Sequence, residues 1–83
     1  MRAFKLQKEQ IEFLRKMYPD NPVVQKVLSC ENNGTFTVDA DTKIDFMEFI
    51  EDESVFRMSE DYNATKETII LESIRDDVYY QTN

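Results

Sequence analysis

Gly34 is the only glycine in this 83-residue chain, and Pro19 and Pro22 are its only prolines. Sheets and barrels need turn residues at many corners, so a chain this poor in breakers is constrained toward helices with short connections. The expectation is a mainly α, compact domain of three or four helices, with a short strand or hairpin after Gly34. Residues 1–83 are expected to form one small acidic domain. A domain of that size buries only about 60–65% of its unfolded surface, so modest stability is expected and a homo-oligomer is one way to relieve it.

Local patterns place the elements. From Gln7 to Tyr18, Ile11, Phe13, Leu14, Met17 and Tyr18 fall with Leu6 on one stripe at helical spacing, opposite Lys8, Glu9, Glu12, Arg15 and Lys16. Pro19 ends that helix, because the residue before a proline is driven from helical geometry. Asn21-Pro22 reads as the start of a second helix: asparagine accepts early amide protons, and proline at the first position loses nothing. That helix turns Val23, Val24, Val27 and Leu28 inward and stops near Cys30.

Asn32-Asn33-Gly34 is the strongest turn signal. Thr35 to Asp39 then alternates as a short strand with Phe36 and Val38 on one face. Asp41 or Thr42 is expected to cap a third helix that gathers Phe46, Phe49 and Ile50 on one side. Pairing Lys43 to Met47 with the preceding strand as a hairpin is the competing reading, and the helical spacing of Phe49-Ile50 favours the helix. Ser59 to Asn63 reads as a loop. Thr65 or Asn63 then caps a last helix over Lys66 to Tyr80, with Ile70, Leu71, Ile74 and Val78 inward.

Several functional classes fall away on composition. The longest apolar run, Ile69-Ile70-Leu71, is far too short to span a bilayer. The N-terminus carries basic residues without an apolar stretch, so no secretory signal is expected. Cys30 is a lone thiol, which agrees with a reducing, cytoplasmic setting. The chain has no histidine, the usual general base and the commonest metal ligand. One glycine cannot build a phosphate-cradling loop. A non-enzymatic protein without a cofactor is expected.

Charge is unevenly spread. Residues 1–28 carry six basic side chains and three acidic ones, whereas residues 29–83 carry four basic and fourteen acidic. Such a field repels nucleic acid and anionic membrane and favours a basic protein surface. The candidate contact residues are Glu48, Glu51, Asp52 and Glu53 on the third helix, with Asp76, Asp77, Tyr79 and Tyr80 near the C-terminus. Asp76 and Asp77 sit where carboxylates oppose the helix dipole, which implies either a frayed end or acids kept for a contact. Tyrosines are favoured at protein interfaces.

One twelve-residue stretch, Thr37 to Glu48, partly resembles an EF-hand calcium loop. Oxygen-bearing Thr37, Asp39, Asp41, Asp45 and Glu48 fall at ligand spacing, and Ile44 stands where such loops place an aliphatic residue. The resemblance implies a cation site at Asp39, Asp41, Asp45 and Glu48. Thr37 in place of aspartate and Thr42 in place of the turn glycine depart from the pattern. The reading that follows is a binding or regulatory protein docking a basic partner through its third helix. Its alternatives are a phosphate-mimicking inhibitor of a nucleic-acid-binding protein, a character shared by small acidic proteins of phages and mobile elements, a calcium binder, and a self-assembling structural protein.

Overall fold

A small antiparallel sheet and four helices make up the computed structural model, which describes residues 1–58 and 65–82. The chain runs β1 (Arg2–Lys5), α1 (Lys8–Met17), α2 (Pro22–Leu28), β2 (Glu31–Asn32), β3 (Thr35–Val38), α3 (Ala40–Phe56) and α4 (Lys66–Thr82). The sheet order is β1-β3-β2. Asn33 (φ 56°) and Gly34 (φ 82°) both adopt left-handed geometry, as a tight two-residue hairpin turn requires. That turn joins β2 to β3, with Asn32 facing Thr35.

The strand expected after Gly34 ends at Val38 and buries Phe36 and Val38. Its partner on the other side is β1, in register from Arg2↔Val38 to Lys5↔Thr35. Strand β1 was not expected from the sequence. It contributes one buried side chain, Phe4, and is held by pairing with a strand about thirty residues away rather than by a local pattern.

Helix ends follow local chemistry with one shift. Asn21 Oδ1 accepts from Val24 N at 3.0 Å, with Pro22 opening α2. The cap of α3 is Asp39, not Asp41 or Thr42, because Asp39 Oδ1 accepts from Thr42 N at 2.8 Å and the helix begins at Ala40. Residues 43–47 are therefore helical, and the hairpin alternative is excluded. Thr65 caps α4, accepting from Thr68 N at 3.2 Å, while the expected loop at 59–63 and the alternative cap Asn63 lie outside the described residues.

The same threonines finish α3. Thr65 donates its hydroxyl to Arg57 O (2.8 Å), and Thr68 donates to Ser54 O (3.0 Å). Carbonyls that a helix end leaves unpaired thus find partners at the start of the next helix. The core lies between the sheet and α3–α4. Phe4 stacks on Phe36 at 5.4 Å and on Phe46 at 6.3 Å, with Ile50, Leu71, Ile74 and Val78 completely buried around them.

Candidate functional site

Burial of Phe46 and Ile50 fixes the roll of α3 about its axis. At about 100° per residue, Asp41, Asp45, Glu48 and Asp52 fall within about 60° of one another, on the side opposite Ile50. All four are exposed, as is Glu51 on the flank of the same face. No ion pair or side-chain hydrogen bond engages these five carboxylates among the described residues. The face thus presents bare negative charge on a helix anchored along its other side.

It is not purely polar. Ile44 is 50% exposed, Val55 66% and Phe56 77%, all on the outward half of α3. Singly exposed apolar side chains are ordinary, but these interrupt an otherwise acidic face. Glu53 differs from its neighbours. Its Oε1 lies 3.5 Å from Arg57 Nε, and the Arg57 guanidinium sits 5.8 Å from the Tyr18 ring. Tyr18 is buried, edge-on to Phe49 at 5.1 Å, and its hydroxyl reaches no partner in hydrogen-bonding geometry among the described residues. Burial pushes its ionisation above the ordinary phenol value, and the nearby Glu53 carboxylate pushes it further.

The C-terminal candidates form a separate group on α4. Asp77 Oδ2 accepts from Gln10 Nε2 at 2.9 Å, and Asp76 Oδ1 lies 3.2 Å from Arg75. Of the two explanations for acids at this helix end, the contact holds for Asp77: it docks α1. Gln10 is the hub of that junction. Only 6% exposed, it also donates to Ser73 Oγ at 3.1 Å and accepts from Gln7 N at 2.7 Å. Tyr79 and Tyr80 are exposed and meet edge-to-face at 5.6 Å.

The stretch that resembles a calcium loop is not folded as a loop. Thr37 and Val38 belong to β3, Asp39 is spent on the Thr42 amide, and Asp41, Asp45 and Glu48 ride outward on α3. Among the described residues no three acidic or cysteine side chains converge to hold a metal. The Thr42 side chain and then its amide hold the Asp39 carboxyl below its usual value, as expected of a working cap.

Among the described residues, two open recesses stand out on the surface. One, about 360 Å³, is lined by Arg15, Pro19, Gln25, Leu28 and Ser29. The other, about 260 Å³, is lined by Met1, Lys26, Cys30, Thr37, Val38, Asp39 and Thr42. In the second, the Cys30 thiol donates to Lys26 O at 3.4 Å. No described helix is long and apolar enough to cross a membrane. Family models, curated proteins and solved structures give no match to the chain. Function must therefore be read from the site itself.

Proposed function

We propose that this protein is a non-enzymatic binding or regulatory module of the cytoplasm that docks a basic protein surface through the outer face of α3. One observation carries the reading: among the described residues, Asp41, Asp45, Glu48, Glu51 and Asp52 are exposed and unpaired on one side of a helix whose opposite side is packed into the core. Charges already engaged within the fold contribute less to a partner. On that ground Glu48, Glu51 and Asp52, flanked by Asp41 and Asp45, are the principal contacts, with the engaged Glu53, Asp76 and Asp77 in lesser roles.

Reversing charge in a Glu48→Lys/Glu51→Lys/Asp52→Lys variant is the test. Capture of a basic partner from the native cell should be lost while the circular dichroism spectrum stays unchanged. Undiminished capture by a folded variant would end the proposal.

A special form treats the face as a phosphate mimic. Asp41, Asp45, Glu48 and Asp52 make a near-straight row about 16 Å long at the helical rise of 1.5 Å per residue. Duplex DNA also presents closely spaced charge along its axis. In that form duplex DNA competes with this protein for the partner, and binding weakens steeply with salt. Absence of competition removes the mimic while leaving the docking reading in place.

A further inference from the structure

The exposed residues of α3 contain a second regularity. Asp41, Ile44, Glu48, Glu51 and Val55 follow one another at intervals of three, four, three and four residues. Residues at that spacing share one side of the helix, along which a second helix can lie. All five side chains are exposed, including the apolar Ile44 and Val55. The row begins and ends close to apolar residues, Ile44 and Val55, with three carboxylates among them.

We infer that this row is the seat of an amphipathic, cationic helix of another protein. The inference rests on the proposed docking role of α3 and specifies its partner. Complementarity decides the occupant. Carboxylates drawn into a helix–helix seam must be paired with cations, because desolvating them unpaired is costly. The partner helix therefore carries lysine or arginine opposite Asp41, Glu48 and Glu51, and apolar side chains opposite Ile44 and Val55. A second copy of this chain does not meet that requirement. Each copy carries a net charge of −7, and basic Lys8 and Lys16 on α1 are interleaved with Glu9 and Glu12. Nucleic acid and anionic membrane are repelled by the same field. The row from Asp41 to Val55 is about 21 Å long, enough for about four turns of a partner helix.

Fluorescence anisotropy with labelled model peptides tests the inference. The probe is a helical lysine–leucine peptide of about 18 residues with one leucine stripe, matched to the length of α3. Its control has the same composition scrambled to destroy the stripe. The amphipathic peptide should bind about tenfold tighter than the control, and an Ile44→Ser/Val55→Ser variant should erase that difference while still binding both. Both side chains are at least half exposed, so the variant should keep its melting temperature. A Glu48→Lys/Glu51→Lys variant should bind neither peptide. Equal binding of both peptides, unaffected by Ile44→Ser/Val55→Ser, overturns the seam but leaves electrostatic docking standing. Failure of both peptides to bind, or binding indifferent to charge reversal, overturns both.

Discussion

The outer-face carboxylates of α3 and the Asp76-Asp77 pair near the end of α4 have the same chemistry and opposite circumstances. On α4, Asp77 is tied to buried Gln10 and Asp76 to Arg75, so the acids at that helix end belong to the architecture. On α3, Asp41, Asp45, Glu48, Glu51 and Asp52 are exposed and form no ion pair with another described residue. Local sequence does not distinguish the two sets. What separates them is whether a donor lies within reach: Gln10 of α1 for Asp77 and the adjacent Arg75 for Asp76. Charge kept free on an anchored helix is available to a partner, and charge already paired is not.

That contrast can be broken most forcefully across α3 itself. Phe46→Ala, which removes a fully buried ring stacked on Phe4, should cost about 3–5 kcal/mol in denaturant unfolding. Glu48→Gln/Glu51→Gln/Asp52→Gln on the opposite side should leave the denaturation midpoint nearly unchanged or raise it slightly, as like-charge repulsion is relieved. A large loss in the triple variant would mean that these groups have structural partners.

Gln10→Ala probes the α4 set. It strips Asp77 and Ser73 of a donor and Gln7 N of an acceptor, and should cost about 1–3 kcal/mol. A neutral result would place Asp77 with the free acids of α3.

A gentler perturbation lies at the sheet edge. The Gln81 side chain accepts from Lys5 N at 2.7 Å and donates to Lys5 O at 2.8 Å, satisfying an outward-facing backbone pair of β1. Gln81→Ala should cost about 0.5–1 kcal/mol and speed hydrogen exchange at the Lys5 amide. Unaltered exchange would show that the edge is protected by other means.

The smallest effect concerns the Asp39 cap. A carboxyl held below its free value of 3.8 stabilises the fold fully above that value, and the contribution fades as pH falls through the lower folded one. An asparagine side chain at this position would cap without titrating. Asp39→Asn should therefore be somewhat less stable than wild type at neutral pH, with the gap narrowing below about pH 4. A gap that stays constant with pH would show that the charge plays no part in the cap.

Features set by short-range chemistry were legible in the sequence. Asn21-Pro22 starts α2, Asn33-Gly34 turns the hairpin, and Phe49-Ile50, continuing the helical pattern, assigns α3 to a helix. Each depends on a few consecutive residues. The strand β1 and the Gln10 junction were not legible, because their partners lie far along the chain: Gln10 bonds to Ser73, 63 residues away. A glutamine on an amphipathic helix reads as solvent-facing until α4 is known to cover it. The candidate site was legible as an acidic concentration at Glu48, Glu51 and Asp52. Its division from Glu53, which Arg57 engages, and from Asp77 was not, since proximity in sequence carries no record of pairing in space.

Amide chemical shifts recorded while the lysine–leucine helical peptide is titrated in offer the most direct check that the free face of α3 is where cations dock. Perturbations should concentrate at exposed positions of 41–55 and diminish with added salt. Shifts centred instead on Asp76, Asp77, Tyr79 and Tyr80, with α3 silent, would contradict that assignment.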